Sequence, residues 1–212
     1  FRDIRKMTFP DEKYEDIGAF SDAYFEQISS AAASVDRVTL VQAADVIEQT
    51  YRENKTLFVC GNGGSAAISG TFVCDHSKLV QTDTNLTARV VSLADNMSMI
   101  TAIANDLSYD DIFQYQLQTL ANFGDTLLTI SASGDSENVV KAASWARENK
   151  MPVIAFTGFE GGRMADLASV HLHVQADNYG VIEDVHQSLM HLLAQFIRQK
   201  QMSAGLIANR KF

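Results

Sequence analysis

The chain of 212 residues fits a single α/β domain and leaves no room for two independent cores of ordinary size. Seventeen Lys plus Arg against 26 Asp plus Glu give a net charge of −9, so the surface repels a phosphate backbone and nucleic acid is excluded as the main ligand. Hydrophobic residues at 46% and charged residues at 20% predict a packed core, and every apolar run is broken well short of the roughly 18 to 20 residues that cross a bilayer.

In chain order, residues 1–16 are polar and read as an arm. Ile17, Phe20, Tyr24 and Ile28, then Leu40, Ala43, Ala44, Ile47 and Tyr51, recur at helical spacing and predict two amphipathic helices ahead of any strand. A strand is expected at Thr56–Cys60, ended by Gly61-Asn62-Gly63-Gly64, with a helix from about Ser65. The alternation then repeats. Strands are expected at Arg89–Leu93, Thr126–Ser131, Val153–Thr157 and Val170–Val174, and helices at about Met97–Asn105, Asp110–Asn122, Glu137–Asn149, near Met164 and from Val181 to Gln201. Strands joined through helices predict a five-stranded parallel sheet of flavodoxin-like type with helices on both faces. On this reading residues 17–202 are one domain, the two leading helices are an addition the sheet does not need for cover, and 203–212 is a frayed tail. Cys60 and Cys74 are too few for a disulfide framework, and the first sixteen residues lack the apolar core of a secretory signal, so a reducing cytoplasm is expected.

Ligands of open parallel sheets bind beyond the C-terminal strand ends, where strand order reverses. Two turns there carry unusual residues. Gly61-Asn62-Gly63-Gly64-Ser65 joins a strand to a helix and aims backbone N–H groups, a helix end and a hydroxyl at one place, which suits an anion. It has neither the Lys of a Walker loop nor GxGxxG spacing. Its plain structural alternative is a tight turn with Ser65 as helix cap. Ser131-Ala-Ser133-Gly134-Asp135-Ser136 repeats the design with three hydroxyls where one cap would suffice, and together the turns predict a phosphate monoester held by neutral donors.

The segments FVCGNGGSAA, LLTISASGDSENVVKAASWARE and VIAFTGFEGG resemble the SIS (sugar isomerase) domain family, and within it the phosphoheptose isomerase group, over roughly Ala43 to Gln201. The resemblance implies that Ser65, Ser131, Ser133 and Ser136, with the backbone of Gly63 and Gly64, hold the phosphate, while Asn62 and Asp106 line the sugar region. It implies a homotetramer with active sites formed between subunits and the leading helices at the interfaces. The implied reaction converts sedoheptulose 7-phosphate to D-glycero-D-manno-heptose 7-phosphate through an enediol.

Such a reaction needs a base for a carbon-bound proton and an acid for oxygen. Thr71 and Asp75 are four residues apart on one helix, and Glu183, Gln187 and His191 share a face of the last helix, whereas His76 points about 100° from Asp75. Against the family pattern, Asp75 stands for its glutamate base, His191 for its catalytic histidine, Glu183 for a glutamine and Thr71 for a histidine able to bind zinc. The expected roles are Asp75 as base and His191 as acid, with Zn2+ as the metal that Asp75, Glu183 and His191 would share. A rival reading of the same substitutions is a catalytically weakened SIS protein that binds a phosphosugar or a protein for regulation.

Overall fold

The computed structural model describes residues 8–212. The chain enters through α1 (Ile17–Ser34) and α2 (Arg37–Arg52), each opened by an aspartate, Asp16 and Asp36, whose carboxylate accepts a backbone N–H of the first turn. Then follow β1 (Thr56–Gly61), α3 (Gly64–Cys74), a π-helical turn (Asp75–Val80) and β2 (Arg89–Ser92). Next come α4 (Met97–Asp106), a 3-10 turn (Tyr109–Asp111), α5 (Ile112–Leu120), β3 (Thr126–Ser131), α6 (Glu137–Glu148) and β4 (Val153–Thr157). The last elements are α7 (Met164–Leu167), β5 (Val170–His173), α8 (Tyr179–Gln201) and α9 (Ala204–Ile207).

Among the described residues the sheet has five strands in the order β2-β1-β3-β4-β5, every pair parallel, as the alternation predicted. From β1 the chain steps outward to β2 and then returns to the other side of β1 for β3, so the strand order reverses between β1 and β3. Side chains alternate between faces. Leu57, Val59, Leu128, Ile130, Ile154 and Phe156 join the core beneath α2, α3 and α8, while Phe58, Cys60, Leu127, Val153 and Ala155 join the one beneath α4, α5 and α6. Burial on both faces explains why β1, β3 and β4 read as unbroken apolar runs.

Three expectations need correction. The helix α2 is not an accessory: Ala43, Ala44, Ile47 and Tyr51 are buried in the main core against the sheet, leaving only α1, with Ala31 its one buried residue, as an outer layer on α8. Of the expected polar arm, residues 1–7 lie outside the described residues, but Phe9 is buried against Tyr14, Phe20 and Tyr24. An aromatic cluster supplies the area that the polar composition lacks. The expected frayed tail is instead tied to the domain through the buried Arg198, which donates to the carbonyls of Thr82 (3.1 Å) and Lys211 (3.0 Å) and lies 4.8 Å from the centre of the Phe212 ring. Arg210 adds bonds to the Asp83 carboxylate at 2.8 and 3.1 Å.

Candidate active site

The two serine turns sit at the reversal of strand order, for Gly61 pairs in register with Ile130, the residue before Ser131. At Gly63 the backbone takes φ +54° and ψ −121°, a conformation that a side chain would strain, which is why the turn into α3 needs glycine there. Neither α3 nor α6 has a side-chain cap: Gly63 offers none, and Ser136 stands at the N-cap position of α6 without using its hydroxyl. The capping alternative therefore fails for Ser136, and it fails for Ser65, which lies inside the first turn of α3. The backbone N–H groups of Gly64 and Ser65 in α3 and of Glu137 and Asn138 in α6 have no hydrogen-bond partner among the described residues, whereas those of Ala66 and Val139 are already engaged. Ser65 is buried, and its hydroxyl has no partner among the described residues. The hydroxyls of Ser131 and Ser133 accept from the backbone N–H groups of Gly134 (3.2 Å) and Asp135 (3.3 Å), leaving their protons to give.

Asn62 is oriented by residues that periodicity did not single out. The Asn138 carbonyl oxygen accepts from the backbone N–H of Val139 at 2.9 Å, which fixes the orientation of that buried amide. Its NH₂ then donates to Asn62 Oδ1 and its oxygen accepts from Asn62 Nδ2, both at 2.9 Å, while the Tyr109 hydroxyl donates to the same Asn62 Oδ1 at 2.9 Å. With its oxygen doubly occupied, Asn62 offers a substrate one remaining N–H. Asp106 ends α4, exposed, with its carboxylate accepting from Asn105 at 2.8 Å, so Tyr109 rather than Asp106 reaches Asn62. Legible in hindsight was the start of α6, where a buried asparagine follows a free serine.

At the other end of α3 the regular helix widens into the π-helical turn at Asp75. There Asp75 Oδ2 meets His191 Nδ1 at 2.6 Å, and Gln187 Nε2 meets His191 Nε2 at 2.9 Å. An ionised carboxylate only accepts, so Nδ1 carries the proton and Nε2 takes the amide hydrogen of Gln187. The pair remains open, the imidazole being 44% and the carboxylate 23% exposed. The neighbouring His76 turns inward, stacked on Phe72 with ring centres 3.9 Å apart and joined through Nδ1 to the Tyr51 hydroxyl at 2.7 Å.

The expected metal set is not assembled. Among the described residues no three His, Cys, Asp or Glu side chains are grouped to hold an ion. Glu183 shares a helix face with His191 but sits eight residues earlier, about 12 Å along the axis. Its carboxylate lies against Gly64, where any Cβ would collide with it. Thr71 donates its hydroxyl to the carbonyl of Ala67 at 3.1 Å. A common face is not a common location, and the residues present do not fit a zinc ion within one protomer.

A five-stranded parallel sheet with two serine turns at its switch point and a carboxylate–imidazole pair on the flanking helices places the chain in a class of α/β domains, and it belongs to the SIS domain family, which it matches over residues 23–158. Within that family it stands among the phosphoheptose isomerases. It is 34% identical to the probable phosphoheptose isomerase of Thermoplasma acidophilum over 84% of this chain and 97% of the relative. The solved phosphoheptose isomerase of Neisseria gonorrhoeae superposes with a TM-score of 0.77 at 32% identity, over 85% of this chain and 97% of that one. That of Francisella tularensis gives 0.78 at 30% identity, over 86% and 96%.

Proposed function

We propose that the protein is an aldose–ketose isomerase of a sugar phosphate, interconverting sedoheptulose 7-phosphate and D-glycero-D-manno-heptose 7-phosphate. The observation that carries this reading is the pair of uncapped serine turns side by side at the switch point, in a chain whose relatives are phosphoheptose isomerases. The hydroxyls of Ser65, Ser131, Ser133 and Ser136 and the open N–H groups of α3 and α6 receive the phosphate. Asn62 gives its free N–H to a sugar oxygen. Asp75 removes the carbon-bound proton to form the enediol, and His191 delivers a proton to oxygen. Incubation of the purified protein with sedoheptulose 7-phosphate in deuterated water tests this directly: aldose forms with deuterium at C2, and ketose re-formed from the enediol carries deuterium at C1, whereas phosphosugar binding without either product leaves only a binding protein.

The phosphate assignment has its own test. Ser65→Ala and Ser133→Ala each remove a neutral donor, expected to cost about 0.5 to 1.5 kcal/mol of binding, two- to tenfold in affinity, with folding intact. Calorimetric titration with the substrate finding both variants at wild-type affinity would rule the turns out as the phosphate site.

We also propose that the working form is a homotetramer with composite sites. Ten residues of helix separate Ser65 from Asp75, about 15 Å of rise. A seven-carbon sugar phosphate does not span that gap easily, which favours the phosphate turns of one protomer working with the Asp75–His191 pair of another. Phe25 on α1 and Leu192 and Phe196 on α8 are exposed apolar side chains on adjoining helices and supply contact area for such an assembly. Sedimentation at micromolar concentration should give a tetramer, and a stable monomer there would contradict this assembly. With free thiols at Cys60 and Cys74, the proposed compartment is the cytoplasm. Among the described residues no helix is long and apolar enough to cross a membrane.

A further inference from the structure

The serine turn after β3 carries a charge problem. Between Ser133 and Ser136 lies Asp135, and Glu137 follows immediately, so two carboxylates share the short segment that is to receive a phosphate dianion. One cation faces both. Arg163, from the loop between β4 and α7, donates through Nε to the Asp135 carboxylate, through Nη1 to Glu137 Oε2 at 2.8 Å and through Nη2 to the Asp135 carbonyl at 2.9 Å. Lys141, the cation one turn further along α6, is engaged by Asp111 at 2.8 Å.

The loop that presents Arg163 is fastened to the serine turn by backbone bonds of its own. Gly158 N–H donates to the Ala132 carbonyl at 2.8 Å and Met164 N–H to the Gly134 carbonyl at 3.0 Å. The two chains run so close at Gly134, whose φ is +64°, that a Cβ there would overlap the Gly161 carbonyl. Position is thus secured without the ion pairs. All three charged side chains are about half exposed, 48% for Arg163, 55% for Asp135 and 43% for Glu137, and ion pairs of that exposure contribute little to folding. Their electrostatic effect on an anion arriving beside them is another matter, because charges within a Debye length of a dianion act on it directly.

We propose that Arg163 is a positioning residue of the phosphate site: it neutralises and draws aside Asp135 and Glu137, so that the Ser131–Ser136 turn accepts a phosphate dianion despite one carboxylate within it and another immediately after it. The inference rests on the phosphate assignment made above. It is consistent with the Asp135 carboxyl being held below, and the Arg163 guanidinium above, their ordinary titration ranges by this contact.

The experiment measures inorganic phosphate binding by calorimetry at about pH 8, at low and high salt, on the full chain. Arg163→Gln should weaken binding about five- to tenfold at low ionic strength and less than about twofold at high ionic strength, where the uncovered carboxylates are screened. The triple variant Arg163→Gln, Asp135→Asn, Glu137→Gln should return to within about twofold of wild type, a rescue that a merely structural role would not allow. Arg163→Lys, which retains the charge, should fall between wild type and Arg163→Gln and gives a reading even if the glutamine variant folds poorly.

Wild-type affinity in a folded Arg163→Gln protein, or a triple variant as weak as the single one, would overturn the proposal, the latter by showing that Arg163 meets the phosphate itself. Ser133→Ala separates the two claims: phosphate weakened by Ser133→Ala but untouched by Arg163→Gln overturns this inference alone. Phosphate untouched by Ser65→Ala, Ser133→Ala and Arg163→Gln overturns it together with the phosphate assignment.

Discussion

Asp75→Asn is expected to lower turnover on sedoheptulose 7-phosphate by about 10² to 10⁴-fold with little change in substrate affinity. The asparagine oxygen can still accept from His191 Nδ1 at the 2.6 Å contact, so the pair keeps its shape and loses only the basicity that proton abstraction requires. His191→Gln should cost a similar factor by removing the proton donor. The test extends to Asp75→Glu. Because Asp75 already touches the imidazole, an added methylene must displace His191 or turn the carboxylate outward, and a further loss of rate is expected. A faster Asp75→Glu enzyme would mean that the reacting carbon lies beyond the reach of aspartate and that the natural site is a shortened one. Full activity in Asp75→Asn would remove this carboxylate from the mechanism altogether.

The second large effect is loss of stability in mild acid. His76 and His186 are fully buried and neutral, and burial pushes their pKa values down to about 3 and about 4. The Tyr51 hydroxyl meets His76 Nδ1 and the Thr157 carbonyl meets His186 Nε2, contacts that, with the Met190 backbone near His76, are too few to offset burial, and His76 Nε2 and His186 Nδ1 make no well-formed hydrogen bond among the described residues. In the unfolded chain both titrate near pH 6.5. Below that value the unfolded state binds protons that the folded state refuses, so stability falls as pH falls. The slope is about 1.4 kcal/mol per pH unit for each group between about pH 6 and pH 4.5, which amounts to several kcal/mol. That is a large fraction of the 5 to about 15 kcal/mol typical of a domain. Urea unfolding across this range should show the decline, and His76→Gln, which can still meet the Tyr51 hydroxyl, should reduce the slope by about half. A slope unchanged in that variant would assign the acid lability to other groups.

Much of this architecture is legible in the residues because it is set by local rules. The strands at Thr126–Ser131 and Val153–Thr157 read off as short apolar runs between turns, and their boundaries in the structure are the same. The serine turns stand out because three hydroxyls in six residues exceed what capping uses, and the structure leaves Ser136 free of a capping bond. Helical spacing also brought out His191 and Asp75 as candidates on separate helices. That they meet depends on α8 packing beside α3 and the π-helical turn, which no periodicity encodes.

The sequence by itself determined the alternation of strands and helices, and hence a parallel sheet with the serine turns at its strand ends, because side-chain period and turn chemistry act over a few residues. It also determined which residue types could serve a phosphate and a proton transfer. Only the tertiary structure decided which of them converge. It set the Glu183 carboxylate against Gly64, gave Asn62 its partners Asn138 and Tyr109, laid α2 into the core and brought Arg163 onto Asp135 and Glu137. The side-chain contacts of Arg163 and Asn62 join residues 26 to 76 positions apart, and they follow from how helices seat on a twisted sheet rather than from any pattern within a segment.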